Sequence, residues 1–223
     1  MRRRQRAFSV VEVLTVLVIV GLILAAIAIT APLFLNAQNE VQAQTDNINS
    51  AALALYRVQR DVRQSDVNGV FNCTTAPVVL CSQTGGNAVT TQALAIITAD
   101  NGTGEFQPIT TGAAAGQPDW QGFWYYWLVP DPNGQSNDLL REYENTGPIN
   151  LTTASLPSVE LLAQTWLTTA LGGSPETVAT NVESLSAAAD TGDSIVQLQL
   201  VGGGTSSGNV TSLSLSGSSY VRN

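Results

Sequence analysis

The pattern of hydrophobic positions is dominated by one apolar run close to the N-terminus. Every residue from Val13 to Ala31 is apolar apart from Thr15, Gly21 and Thr30. A helix of these residues would be about 28 Å long, which matches the hydrocarbon thickness of a bilayer. The run is therefore predicted to be a helix that can span a membrane.

After Pro32 the pattern changes to a heptad spacing of apolar residues. The stripe consists of Val41, Ile48, Leu55 and Val62, with Ala51 and Val58 three residues after two of them. This spacing puts apolar side chains on one face of a helix and predicts an amphipathic continuation that ends around residues 65 to 69. A self-pairing coiled coil is the alternative interpretation, because four heptads can also form a seam between helices.

The face opposite this stripe is polar. It carries Gln38, Asn39, Gln42, Asp46, Asn49, Arg60 and Asp61. We therefore predict one long helix from Phe8 to about Ser65, with its first half facing lipid and its second half docked on a domain. Pro32 is expected to bend or open this helix, because proline removes one backbone donor.

The charges are distributed unevenly along the chain. Arg2, Arg3, Arg4 and Arg6 precede the apolar run, whereas the chain from Phe8 onward has five arginines against 17 acids and no lysine. The basic N-terminus is expected to stay in the cytoplasm, and the residues after Pro32 are expected to be translocated. An acidic body repels phosphate backbones, so a nucleic-acid partner is not expected.

The composition also restricts the chemistry of the protein. The chain has no histidine and only two cysteines, so it lacks the commonest general base and has too few soft ligands for a zinc site. No glycine-rich phosphate loop and no serine beside a plausible base is found. We therefore predict no catalytic residues, no metal site and no cofactor.

One acidic residue, Glu12, stands at the start of the apolar run. A carboxylate costs roughly 2.5–3.5 kcal/mol at the centre of an inserting helix, so an acid in such a helix is expected to have a function. A secretory signal peptide would be cleaved after the run, near residues 26–28 or 30–31. Pro32 follows directly, and the run is long for a signal core.

The stretch RAFSVVEVLTVLV resembles the N-terminus of type IV prepilins and pseudopilins. It combines a basic leader, the small residue Ala7, the aromatic Phe8 and an acid, Glu12, in the fifth place after Ala7. The resemblance implies cleavage between Ala7 and Phe8 by a prepilin peptidase, N-methylation of Phe8, and pairing of Glu12 with the Phe8 amine of a neighbouring subunit. Ala7 stands where the family usually has glycine, and Ile29 where it usually has proline.

Three further stretches resemble PilW-like minor pilins and the J-type minor pseudopilins of type II secretion. They are the RDVRQ motif at residues 60–64, the aromatic strand QGFWYYWLV with the returning LLREY, and the C-terminal YVRN. For Arg60, Asp61 and Arg63 two interpretations stay open: a solvated helix face, or docking against adjacent minor subunits.

Cys73 and Cys81 are expected to form a disulfide, because they lie outside the membrane in an oxidising compartment. The loop that they close is short, so the bond is predicted to be a local staple. Asp131, Asn133 and Asp138 lie in a turn-rich segment. They could supply oxygen ligands to calcium, but the full spacing of a calcium loop is absent, and an ordinary turn is the alternative.

The remaining residues predict strands, turns and one short helix. Strands are expected at 93–98, 121–129 (covered on both faces), 139–143, 195–201 and 210–215, with a helix at 158–171 and a flexible glycine-rich loop at 202–209. The predicted fold is α+β: a long N-terminal hydrophobic and amphipathic spine helix with an antiparallel β-sheet globular head.

The expected organisation has four parts. They are a cleaved leader at 1–7, a transmembrane or filament-core half of the spine helix at 8–31, an amphipathic half at 32–66, and a β-rich head at 67–223. The resemblance implies a minor pilin or pseudopilin in the cytoplasmic membrane, then in a surface or periplasmic filament. Its partners would be prepilin peptidase, the membrane before assembly, and other pilins through the spine helix. The alternative function is a filament-tip recognition module for adhesion or DNA uptake.

Overall fold

The computed structural model describes residues 10–75, 78–86, 89–102, 105–110, 115–130, 137–149, 156–190, 193–206 and 209–220. The chain has a long N-terminal helix followed by an antiparallel sheet with a second, shorter helix. This is the α+β arrangement that the sequence predicts. The chain divides into two compact units, residues 1–45 and residues 46–223.

The long helix, α1, spans Val10–Arg63 and continues through Pro32. Its polar residues within the apolar run are satisfied locally: the Thr15 hydroxyl donates to the carbonyl of Val11 at 2.7 Å, and that of Thr30 to the carbonyl of Ala26 at 3.0 Å. A threonine that bonds to its own helix presents no unpaired hydroxyl to lipid. The predicted helix is confirmed, and the bend at Pro32 stays a prediction.

The sheet is antiparallel throughout, with the strand order β2-β1-β4-β5-β6-β7-β8-β9, and β3 pairs with β7. The strands and the second helix are β1 Val70–Thr74, β2 Leu80–Gln83, β3 Val89–Thr91, β4 Ala93–Thr98, β5 Trp120–Pro130, β6 Asn137–Ile149, α2 Leu156–Ala170, β7 Glu176–Asp190, β8 Ile195–Ser206 and β9 Asn209–Tyr220.

The sheet has a core on each face, and the aromatic strand β5 contributes to both. Trp124 and Tyr126 pack with buried residues of α1, whereas Phe123, Tyr125 and Trp127 pack in the cluster that includes α2. Burial of a large apolar side chain contributes roughly 1.5–3 kcal/mol, so this strand is a main source of stability. The prediction that both of its faces are covered is confirmed.

The predicted loop at residues 202–209 is wrong. Strand β8 continues to Ser206, and β9 begins at Asn209, with paired registers from Gly202↔Leu213 to Ser206↔Asn209. Glycine weakens a strand, but its backbone groups still pair when a partner strand lies alongside. The composition of residues 202–209 therefore predicts a loop, whereas the two strands remain paired as far as Ser206 and Asn209.

Candidate assembly site

Glu12 lies in the first turn of α1 as the structure defines it. Its backbone carbonyl accepts a hydrogen bond from the Thr15 hydroxyl at 3.0 Å. An acid in the first turn of a helix is favoured by the helix dipole. Ala7 and Phe8, the predicted cleavage and methylation residues, lie outside the described residues, so the pairing of Glu12 with an amine stays a prediction.

The apolar side chains of the first half of α1 are exposed within the chain. All residues from 10 to 35 are exposed, including large side chains such as Leu14, Leu22 and Phe34. Among the described helices, α1 alone is long and apolar enough to cross a membrane. An apolar surface of this extent marks a site of contact with lipid or with other protein chains.

The apolar stripe is buried only in the last part of the helix. Leu55 and Val62 pack into the core with Ala51 and Val58, as predicted, whereas Val41 and Ile48 are exposed. The stripe is therefore buried only at its later positions. The last turns of α1, from Ala51 onward, are the part that the sheet buries.

Asp61 lies on the buried face of the helix, which corrects its placement on the polar face. Its exposed fraction is 0 %. Its spacing contained the signal that reveals this position, because Asp61 follows Ala54 by seven residues and Val58 by three, and both are buried. The periodicity of the helix, and not the charge of the residue, indicates the face on which Asp61 lies.

The carboxylate of Asp61 accepts four hydrogen bonds. Oδ1 accepts from Nε and Nη2 of Arg60, both at 3.1 Å. Oδ2 accepts from the Tyr126 hydroxyl at 2.5 Å and from Nη2 of Arg141 at 2.7 Å. An ionised carboxylate offers about four acceptor sites, so the buried charge is satisfied.

Arg141 reaches Asp61 from strand β6, and it is buried against aromatic rings. Its guanidinium carbon lies 3.4 Å from the ring centroid of Trp124 and 5.7 Å from that of Tyr126. A desolvated guanidinium on an indole face gains a cation–π attraction of about 2 kcal/mol. Asp61 and Arg141 are 80 residues apart in the sequence, so this contact fastens the helix to the middle of the sheet.

The proton of Tyr126 stays on its hydroxyl. Burial and the neighbouring charge of Asp61 raise the pKa of Tyr126 well above its usual value. Burial of Arg60 opposes its charge, but attraction to Asp61 and the hydrogen bonds between them prevail, and the pKa of Arg60 is raised. The tyrosine is therefore a neutral donor, and Arg60 is a cation over the whole physiological range.

A second acid extends the cluster towards solvent. Glu176, the first residue of β7, pairs with Arg57 of α1 at 2.7 Å, and its other oxygen lies 4.0 Å from Nη1 of Arg141. Both Arg57 and Glu176 are about half exposed, so this pair contributes little to stability. The buried contacts of Asp61 are the main attachment.

The disulfide between Cys73 and Cys81 is confirmed. The two cysteines are direct cross-strand partners on β1 and β2, and both are buried. The bond therefore closes a short hairpin and acts as the predicted local staple. Asp131 and Asn133, considered above as calcium ligands, lie outside the described residues.

A long apolar N-terminal helix followed by an antiparallel β-sheet head is a pilin-like arrangement. Residues 2–28 match the family model of the prokaryotic N-terminal methylation motif. This match supports the type IV pilin and pseudopilin class, whose members are structural subunits, and it implies processing by a prepilin peptidase and assembly with other pilins. The search of curated proteins and the search of solved structures found no match.

Proposed function

We propose that the chain is a minor pilin or pseudopilin subunit of a type IV pilus-like filament. The observation that carries the proposal is the methylation motif at residues 2–28, which includes most of the exposed apolar half of α1. The proposed subunit is cleaved between Ala7 and Phe8 and methylated on Phe8. It waits in the cytoplasmic membrane with its head outside, and it then acts at initiation or at the tip of the filament.

The proposed assembly step uses the new amino terminus. Cleavage creates an ammonium group on Phe8, which pairs with Glu12 of the neighbouring subunit inside the apolar filament core. Opposite charges attract strongly when both are desolvated, whereas either charge alone is costly. The pair would therefore set the axial register of an incoming subunit.

The PilW-like or J-type assignment is the finer part of the proposal. It rests on the RDVRQ motif of α1 and the LLREY stretch of β6, and Asp61 and Arg141 join these two motifs at 2.7 Å. This contact supports the interpretation of the two motifs as one unit. The buried positions of Trp124, Tyr125 and Trp127 favour a role in the core over a recognition surface for the aromatic strand.

Intact mass spectrometry of the protein extracted from membranes tests the processing step. We expect a mass that lacks residues 1–7 and carries one added methyl group. Retention of the leader, or cleavage near Ala31, would overturn the proposal.

The assembly step is tested by Glu12→Ala, with Glu40→Ala on the same helix as the matched control. We expect the Glu12 variant to remain membrane-bound and processed but to be lost from sheared filaments. The Glu40 variant should assemble normally, because Glu40 lies beyond the apolar run. Normal incorporation of the Glu12 variant would contradict the charge-pair mechanism.

A further inference from the structure

The end of α1 has an open recess on the surface of the head. Its volume is about 220 Å³, and it is lined by Tyr56, Gln59, Arg60, Arg63 and Gln64. These side chains offer two guanidinium groups, two amides and a phenol. Among the described residues that line the recess, none is a carboxylate.

This recess differs in charge from the rest of the head. Residues 46–223 carry fifteen acids and five arginines. Two of the five, Arg60 and Arg63, line the recess, and Arg60 shares the carboxylate of Asp61 with Arg141. Arg141 is buried beside Asp61. The recess is therefore a donor-rich spot on an acidic domain, and charge complementarity favours an anionic occupant.

Contacts within the chain fix the positions of two lining side chains, Arg60 and Gln59. Nε and Nη2 of Arg60 bond to buried Asp61, while 44 % of the arginine side chain remains exposed. A side chain added at Gly217 of β9 would collide with the amide of Gln59, so Gln59 is packed closely against that strand. A donor that is already oriented loses less entropy on binding.

The surroundings of the recess have the composition of a protein interface. Tyr56 is 63 % exposed, and Leu53, one turn earlier, is 64 % exposed. Exposed tyrosine and arginine beside an apolar side chain are typical of interaction hot spots. A small soluble anion would use only the arginines, whereas a protein segment would also cover Tyr56 and Leu53.

We infer that the recess binds an aspartate or glutamate side chain presented by a neighbouring pilin-class subunit. The inference rests on the proposed function and names a contact of that subunit outside the Glu12 pair. The neighbour's carboxylate accepts hydrogen bonds from Arg60 and Arg63, and its adjoining residues pack on Tyr56 and Leu53.

The test places the photocrosslinking amino acid p-benzoylphenylalanine at position 56 of the full-length chain in producing cells. Irradiation of assembled filaments, followed by mass spectrometry, identifies the residue captured. We expect a peptide of a pilin-class subunit with an acid within a few residues of the crosslink. Capture of lipid, of nucleic acid or of a peptide without an acid would overturn the inference.

A charge reversal in the recess provides the second arm. Arg63→Glu should lower the crosslink yield by about tenfold or more, because it opposes like charges. Asn49→Glu makes an exposed acid about four turns before Arg63 on the same helix, and it should leave the yield unchanged. Equal yields in the two variants would overturn the inference, whereas absence of the unsubstituted subunit from filaments would refute the proposed function itself.

Discussion

The last turns of α1 have two faces that use opposite chemistry. The inner face packs Ala54, Leu55 and Val58 against the sheet and surrounds Asp61 with four hydrogen bonds. The outer face exposes Leu53 and Tyr56 beside arginines. The inner face thus combines apolar burial with a buried ionic contact, whereas the outer face has the composition of an interaction surface.

The RDVRQ motif is divided between these faces. Asp61 points into the core, whereas Arg60 and Arg63 line the outer recess. Because Arg60 also bonds to Asp61, the fastening of the helix and the orientation of the recess depend on the same carboxylate. The sequence left two interpretations of the motif open, a solvated face or a docking face. Neither describes the whole motif, because Asp61 lies in the core.

The largest effect on stability is expected from Asp61→Asn. This variant leaves Arg141 buried without its main counter-charge, and breaking a buried ion pair costs about 3–5 kcal/mol. Urea unfolding of the full-length chain in detergent, followed by tryptophan fluorescence, measures the loss. Asp46→Asn on the exposed helix surface is the matched control and should change the free energy of unfolding by less than about 0.5 kcal/mol.

A double variant tests whether the instability of Asp61→Asn comes from the unpaired charge of Arg141 or from the loss of the other polar contacts of Asp61. Asp61→Leu with Arg141→Met removes both charges, and apolar replacement of a buried pair is often neutral or stabilising. We expect it to recover most of the stability that Asp61→Asn loses. If the double variant is as unstable as the single one, the polar contacts to Tyr126 and Arg60 are the larger contribution.

The local features of the fold could be predicted from the sequence. Strand β4 occupies residues 93–98 as predicted, α2 lies within two residues of its predicted bounds, and Cys73 pairs with Cys81. Each of these depends on a pattern within about fifteen residues. A periodic apolar run, or two cysteines in an oxidising compartment, identifies such an element without knowledge of the rest.

The buried ionic contact could not be predicted in the same way. Asp61 and Arg141 are 80 residues apart, and nothing local shows which of the arginines enters the core. The spacing of Asp61 from Ala54 and Val58 indicated its face, but not its partner. Strand β7 was also missed, because its serines, asparagine and glutamates weaken the alternation that marks a strand.

A matched pair of leucines tests the two faces directly. Leu55 is 8 % exposed and Leu53 is 64 % exposed, on the same helix two residues apart. Leu55→Ala should lower the free energy of unfolding by about 2–3 kcal/mol through lost burial and a cavity, while Leu53→Ala should stay within about 0.5 kcal/mol. Denaturant unfolding checks both. In filaments we expect the opposite order for the yield of the crosslink at position 56, which Leu53→Ala should lower more than Leu55→Ala does.

The smallest effect is expected where the two faces meet, at the pair of Arg57 and Glu176. Both side chains are about half exposed, and such ion pairs contribute roughly 0–1 kcal/mol and less at high salt. Arg57→Ala should therefore leave the free energy of unfolding almost unchanged.

Glu176→Gln tests whether Glu176 also neutralises Arg141, because Glu176 lies 4.0 Å from Arg141. A larger loss for Glu176→Gln than for Arg57→Ala, measured at low salt, would show that Glu176 shares with Asp61 the neutralisation of the buried arginine.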